Sequence, residues 1–129
     1  MKDANLLQFY PKNSFTVISK GRVVNIPFAD IIYIKKYANE TFIHTTHSIF
    51  ATCMSLQQLL NDLPVNSFFR IHRSYVVSLP FLKGISRHSL LAGAEVLPIS
   101  AYYKQQLLAQ LKFILSPEAY SVFLMASHS

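Results

Sequence analysis

Short runs of β-branched and aromatic residues recur about every ten residues through much of this chain, and turn-forming residues separate them. In the first half of the chain these runs lie at 15–19, 22–26, 31–35, 41–46 and 48–53. Runs this short stabilise one another only by pairing, and consecutive runs joined by short turns pair with their neighbours. Because 129 residues is the usual size of one domain, the pattern predicts a single, mostly β domain built from antiparallel strands.

A short helix interrupts the strands. Ser55 is followed three residues later by Gln58, a capping-box spacing in which each side chain satisfies a backbone N–H of the first turn. The helix must end before Pro64, because proline disfavours the helical conformation of the preceding residue. More β structure is predicted between 68 and 99, with an irregular stretch at about 73–80.

The C-terminal part is predicted to be helical. Ser100 can cap a helix whose apolar residues recur at intervals of three and four up to Leu115. Ser116 and Pro117 then provide a second cap and a proline at the first helical position. The predicted organisation is an N-terminal arm at 1–13, a mostly β domain at 14–115 and a helical extension at 116–129.

The distribution of charge indicates a polyanionic partner. Twelve Lys and Arg residues against six Asp and Glu residues give a net charge of +6. No carboxylate lies between Asp62 and Glu95, a window that contains Arg70, His72, Arg73, Lys83, Arg87 and His88. Such a window is typical of nucleic-acid binding, although a solvated basic face that only keeps a protein soluble has the same composition.

Enzyme chemistry is poorly supported. The six carboxylates form no close pair in sequence, and no glycine-rich phosphate loop is present. His44 and His47 have no third ligand nearby, and a lone Cys53 at the end of an apolar run is typical of a small core residue. We therefore expect no catalytic residue, no metal site and no cofactor. The single cysteine, with neither a signal peptide nor a membrane span, predicts a cytoplasmic protein.

The segment 68–78 contains the best candidate site. Two phenylalanines anchor it, and four polar residues follow within five positions: Arg70, His72, Arg73 and Ser74. The guanidinium fork matches phosphate oxygens and the edge of guanine, and a serine hydroxyl can bond to either a phosphate or a base. A segment positioned in this way is predicted to contact nucleic acid.

The same segment resembles the signature of the LytTR family, the DNA-binding output domain at the C-terminus of many bacterial response regulators in two-component systems. Residues 30–34 (D-I-I-Y-I) resemble the family's early strand, Asn39 falls in the following loop, and 55–59 resembles its internal helix. Residues 97–100 (L-P-I-S) are similar to the family's L-P-V-S motif before the last helix. The resemblance covers about residues 14–112.

This resemblance implies an elongated fold of antiparallel sheets with short helices that reads duplex DNA through loops in successive major grooves. The contact regions carried over by position are the first loop with Asn39, Glu40 and Thr41, the second with Arg73 and Ser74, and the start of the last helix with Ser100, Tyr102 and Lys104. Arg73 is expected at a base edge, Asn39 at an adenine or a phosphate, and Ser74 and Lys104 at phosphates. Arg70 either contacts the DNA backbone or braces the fold.

Two residues depart from the family pattern. Ala101 follows the L-P-I-S motif where family members commonly carry arginine, and Glu40 adds negative charge to the first loop. These departures leave an alternative open, a protein-interaction or dimerisation module with a degraded DNA site that uses Leu6, Leu7 and the tail at 122–125. The expected partners are double-stranded DNA, a second copy of the chain and a separate signalling protein, because residues 1–13 are too few for a receiver domain.

Overall fold

A computed structural model describes residues 13–128, so the predicted arm, except for Asn13, lies outside the described residues. Within this range the chain forms ten strands and three α-helices. The strands are β1 (Ser14–Ser19), β2 (Arg22–Pro27), β3 (Ile31–Tyr37), β4 (Glu40–Thr45), β5 (Ile49–Thr52), β6 (Phe68–His72), β7 (Tyr75–Ser78), β8 (Leu82–Ile85), β9 (Ser89–Ala92) and β10 (Glu95–Pro98). The helices are α1 (Leu56–Asp62), α2 (Ala101–Ile114) and α3 (Pro117–Ala126).

The strands form three antiparallel sheets. β1 and β2 make a hairpin, five strands pair in the order β5-β4-β3-β7-β6, and three pair in the order β10-β9-β8. β3 is the central strand of the largest sheet and joins its two hairpins by pairing with β4 on one side and β7 on the other. The predicted mostly β, multi-sheet antiparallel architecture is confirmed.

The five-stranded sheet has a hydrophobic core on each face. Neighbouring residues of one strand point to opposite faces, and Val76 and Val77 of β7 accordingly belong to different cores. The first core lies under β1, β2 and α1, where Leu59 is fully buried. The second lies under the three-stranded sheet and α2, which buries Leu107 and Leu111. Packing on both faces holds the sheet rigid and fixes the direction of its turns.

The predicted turns and caps are present. Lys20 and Gly21 have φ values of 51° and 75°, the positive pair that a two-residue hairpin turn requires. The Ser55 amide donates to Oε1 of Gln58 at 2.8 Å, and the Gln58 amide donates to Oγ of Ser55 at 3.1 Å, which completes the capping box. The hydroxyls of Ser100 and Ser116 cap α2 and α3 in the same way as acceptors.

The prediction of an irregular stretch at about 73–80 is wrong for most of its length. Tyr75–Ser78 is a regular strand, β7, with partners on both sides, and irregular backbone is confined to the turn before it and the 3-10 turn at Leu79–Phe81. Val76 and Val77 are fully buried, so packing on both faces of the sheet favours the extended conformation here.

The predicted helical extension forms α3 and packs on the body of the domain. Tyr120, Phe123 and Ala126 contact the second core, whereas Val122 and Met125 are exposed. Of the apolar tail at 122–125, Phe123 therefore packs on the core, whereas Val122, Leu124 and Met125 are exposed. None of the helices in the described range is long and apolar enough to cross a membrane.

Candidate nucleic-acid interface

The first predicted contact loop is a tight turn at the end of β3. Tyr37 pairs with Glu40, which leaves Ala38 and Asn39 as the two turn residues. Ala38 has a φ of 54°, in the left-handed region that residues other than glycine rarely adopt. Asn39 is exposed at the tip of the turn, where its amide is free of the sheet.

The second predicted loop is the turn between β6 and β7, and its own side chains hold it. His72 pairs with Tyr75, so Arg73 and Ser74 form the turn. Nε of Arg70 donates to the carbonyl of His72 at 2.9 Å, and its Nη2 donates to the carbonyl of Arg73. The Ser74 amide donates to Nδ1 of His72 at 3.1 Å. Arg73 is left exposed at the tip of a turn that the half-buried Arg70 and His72 brace from inside.

These two turns lie at the same end of the five-stranded sheet. β3 lies between β4 and β7, and the amide of Lys36 donates to the carbonyl of Ser74 at 2.9 Å. That bond continues the β3–β7 ladder into the second turn. Asn39 and Arg73, which are 34 positions apart in sequence, are therefore presented by neighbouring turns.

The start of α2 joins the same end of the molecule. The Ser100 amide donates to the carbonyl of Ile71 at 3.0 Å, which fixes the helix start beside the end of β6. The Tyr102 side chain is 65% exposed there. The guanidinium carbon of Arg70 lies 5.8 Å from the ring centroid of Tyr103, so one arginine contacts both the turn and the helix. All three predicted contact regions therefore meet.

Two predicted contact residues are not placed as expected. Thr41 is only 2% exposed, because strand alternation puts it on the same buried face of β4 as Ile43. Nζ of Lys104 donates to the carbonyls of Arg87 at 2.8 Å and Ser127 at 2.7 Å, so two of its three N–H donors bind the protein itself. Thr41 belongs to the core, and Lys104 is directed to the protein.

The remaining predicted residues divide by exposure. Ser74 is half-buried in its turn, and the Ser100 hydroxyl accepts a hydrogen bond from the Tyr103 amide at 3.4 Å as the cap of α2. Arg70 and His72 brace the second turn, which supports the bracing role that the sequence left open for Arg70. Asn39, Arg73 and Tyr102 are the predicted DNA-binding residues that are exposed.

Sequence reasoning missed two lysines of β3. Lys36 is exposed immediately before the first turn. Nζ of Lys35 lies 5.6 Å from the ring centroid of Tyr37 and 5.7 Å from that of Tyr75, which holds it over the same end of the sheet. The sequence feature that could have identified them is the pair of lysines just before a predicted turn. We refer to the exposed residues Lys36, Asn39, Arg73 and Tyr102 as the turn surface.

Positive charge on the turn surface is not neutralised by ion pairs. Within residues 13–128, the one ion pair is between Nε2 of His47 and Oδ2 of Asp30, 3.9 Å apart. The same part of the chain holds no group of three or more His, Cys, Asp or Glu residues that could bind a metal ion. Glu40, exposed beside Asn39, is the acidic residue closest in sequence to the surface. The surface can therefore attract an anion.

The two histidines of the H-x-x-H sequence have separate environments. The His44 ring stacks on Tyr33, with ring centroids 4.1 Å apart. Burial lowers the pKa of His44, and nearby Lys35 acts in the same direction against the opposing effect of Glu95. Burial, followed by Glu95, raises the pKa of Tyr33. His47 contacts Asp30 instead.

The family model described as the LytTr DNA-binding domain matches residues 21–112. This chain belongs to the LytTR family. The matched range contains all three regions of the interface and ends before α3. Family membership thus agrees with the resemblance in the sequence motifs.

Similarity to individual proteins is moderate. The chain is 27% identical over 73 residues to the transcriptional regulatory protein YpdB of Escherichia coli K12, which covers 57% of this chain and 30% of that protein. It is 32% identical over 69 residues to the transcriptional regulatory protein NatR of Bacillus subtilis 168, covering 51% of this chain and 30% of that protein. The chain therefore matches less than a third of the length of these curated relatives.

A solved structure has the same fold. The LytTr DNA-binding domain of a methyl-accepting/DNA response regulator from Bacillus cereus superposes with a TM-score of 0.69 at 24% sequence identity. The match covers 78% of this chain and 98% of that chain. The arrangement of sheets described above is thus that of a LytTr domain.

Proposed function

We propose that this chain binds double-stranded DNA in a sequence-specific manner and acts in bacterial transcription regulation, with the turn surface as its DNA-binding face. The turns would enter successive major grooves, while neighbouring side chains contact the backbone between them. Membership of a family described as a DNA-binding domain supports this proposal. So do the two relatives named as transcriptional regulatory proteins. A cytoplasmic location is part of the same proposal.

One observation carries the proposal: three regions distant in sequence meet at one end of a rigid sheet and present exposed polar and cationic side chains. The Lys36–Ser74 and Ser100–Ile71 backbone hydrogen bonds join these regions. Duplex DNA offers phosphates and base edges at intervals that several short projections can reach together, whereas a single small anion needs only one pocket. A braced, exposed surface made of several projections fits the duplex better.

The chemistry of each exposed side chain assigns its role. Arg73 is expected to contact O6 and N7 of a guanine, because a braced turn directs its fork outward. Asn39 suits the N6 and N7 edge of an adenine or a phosphate, and Lys36 suits a phosphate. Tyr102 takes the position nearest to Ala101, where the family's arginine is missing. Ser74 is proposed to contact a phosphate beside Arg73.

The test is selection of duplexes from a random library, followed by titration of the selected duplex at increasing salt. The logarithm of the affinity should fall linearly with the logarithm of salt concentration, by about 0.9 for each phosphate neutralised. Arg73→Ala should lose about 1–3 kcal/mol of discrimination at one base position. The control is Lys112→Ala, which removes the same charge from the last turn of α2. If no duplex is enriched, or if Arg73→Ala keeps the full base preference, the proposal fails.

Exposed apolar residues favour a second candidate function, association with another copy of this chain. Phe113 is 87% exposed, Val122 66% and Met125 74%, all on the two C-terminal helices. A dimer could place two turn surfaces on paired half-sites of one duplex. Sedimentation of the full chain should give a dimer that Val122→Lys and Met125→Lys dissociate. A monomer at every concentration would leave this surface without that role.

A separate signalling protein would complete such a regulator. Because the chain matches less than a third of the length of its curated relatives, the source of the regulatory signal is proposed to lie in a segment or a partner outside residues 13–128.

A further inference from the structure

The turn between β8 and β9 is a second braced basic projection that the DNA-contact regions above do not include. The Ser86 amide donates to the carbonyl of Ser89 at 2.8 Å, and the two hydroxyls are hydrogen-bonded at 2.8 Å. Arg87 and His88 lie between these serines, and both are exposed. The turn is therefore closed by its own hydrogen bonds and directs two basic side chains into solvent.

Hydrogen bonds attach this turn to the start of α2. The Ile99 amide donates to the carbonyl of His88 at 3.1 Å, and the next amide along the chain, that of Ser100, donates to the carbonyl of Ile71 at 3.0 Å. The segment 99–100 thus connects the β8–β9 turn to the end of β6, beside Arg73. Two hydrogen-bonded backbone spacings separate His88 from Ile71, so the backbones of these two residues are at most about 10 Å apart.

Lys104 provides a further connection. Its Nζ donates to the carbonyl of Arg87 at 2.8 Å and to that of Ser127, just after α3, at 2.7 Å. The ammonium thus holds the backbone of the β8–β9 turn from the inside, and the Arg87 side chain is left outside. A cation used in this way is a positioning residue for the turn.

The dimensions of DNA decide what this turn can reach. The major groove is about 12 Å wide, so a side chain in the middle of the groove is about 6 Å from each wall. If Arg73 enters the groove, a neighbouring side chain more than about 6 Å to one side of it lies over the wall, and that wall is the phosphate backbone. No carboxylate occurs from 63 to 94 in the sequence to compete for the guanidinium within that window.

We propose that Arg87 binds a backbone phosphate of the duplex that the turn surface reads, as a fourth contact region held in place by Lys104. This inference rests on the proposed function and extends it to an element outside the three regions implied by the family resemblance. A contact to phosphate carries no sequence information, so Arg87 contributes affinity and orientation, whereas Arg73 contributes base preference.

The experiment measures binding of a random-sequence duplex of about 30 base pairs, roughly three helical turns, by fluorescence anisotropy at several salt concentrations. Arg87→Ala should weaken binding several-fold on every duplex alike and reduce the salt slope by about 0.9. Lys112→Ala is the matched control, since it removes one charge about 16 Å from the start of α2. Its salt slope should equal that of the wild type.

The outcomes separate this inference from the proposed function. If the wild type binds and Arg73→Ala changes its base preference, but Arg87→Ala keeps the wild-type slope, only the phosphate contact is overturned. Equal reductions in slope for Arg87→Ala and Lys112→Ala would also overturn it, since they would indicate a general effect of net charge. If the wild type binds no duplex, the proposed function itself fails and the contact at Arg87 fails with it.

Discussion

Neighbouring basic residues of the β6–β7 hairpin have different roles at the residue scale. Arg70 donates from Nε and Nη2 to the carbonyls of His72 and Arg73, and Nδ1 of His72 accepts from the Ser74 amide, so both side chains hold the turn. Arg73 is exposed at the tip. The turn thus needs two basic side chains for its own conformation before it can present a third to a ligand.

A double-mutant cycle between Lys104 and Arg87 tests whether Lys104 affects DNA binding by holding the β8–β9 turn. If Lys104 only positions Arg87, then Lys104→Ala should reduce the salt slope of DNA binding in the wild type and have little effect in an Arg87→Ala background. The measurement is the salt slope of all four proteins on one duplex. Additive reductions would instead indicate that the Lys104 ammonium contacts a phosphate directly.

The stacked His44 gives the fold a dependence on pH. Because burial lowers its pKa below the ordinary value of 6.5, the unfolded state takes up the proton first as pH falls. Its contribution to stability is therefore complete above pH 6.5 and is lost below it. Urea unfolding between pH 7 and pH 5 should show the free energy of unfolding falling, and His44→Phe should remove part of that slope while keeping a ring beside Tyr33. If the free energy of unfolding of His44→Phe has the same pH dependence as that of the wild type, another titrating group causes that dependence.

The sequence was informative about exposed residues but not about residues used inside the protein. It placed Asn39, Arg73 and Tyr102 at the surface through motif position. It could not show that Thr41 faces the core, because the turn before it is two residues long and sets which face each β4 residue occupies. Nor could it show that Lys104 binds carbonyls 17 and 23 positions away.

At the scale of elements, α2 links the second core to the proposed interface. Leu107 and Leu111 are 1% and 0% exposed on its inner face, and the amide of its N-cap residue Ser100 donates to the carbonyl of Ile71. Because the middle of α2 is buried in the second core, the start of the helix is held at the end of the five-stranded sheet.

Truncation of a buried leucine of α2 should destabilise the domain strongly. Leu111→Ala removes buried methyl groups and leaves a cavity, so the free energy of unfolding should fall by about 2–5 kcal/mol. Gln105→Ala, on the exposed side of the same helix, should change it by less than about 0.5 kcal/mol. Urea denaturation of both variants measures the difference, and equal effects would mean that α2 is not packed as described.

Local signals predicted most elements well. The capping box at Ser55, the caps at Ser100 and Ser116 and the Lys20-Gly21 turn are interactions within four residues, and all are present. The sequence predicted an irregular stretch at about 73–80, but Tyr75–Ser78 is a strand. Its pairing with β3 joins residues 40 to 44 positions apart in sequence, which no local pattern contains.

At the scale of the whole molecule, the strand order places the interface. In the order β5-β4-β3-β7-β6, the β3–β4 and β6–β7 turns lie at one end, and α2 starts there too. The residue pattern alone predicted antiparallel strands but left the order of the sheet open, and the family resemblance supplied the grouping of the contact regions. The basic window included Arg87, but the attachment of the β8–β9 turn beside the contact regions was not predicted, because it depends on hydrogen bonds to residues 99 and 104.

The most direct test of the DNA-binding face is a map of backbone amide chemical shifts by NMR as a selected duplex is added. We expect shifts grouped at 36–40, 72–75, 86–89 and 99–104, which are scattered in sequence but lie at one end of the sheet. The exposed face of α1 and the β1–β2 hairpin should remain unchanged. Saturable shifts confined to those two elements, with none at the turns, would contradict it.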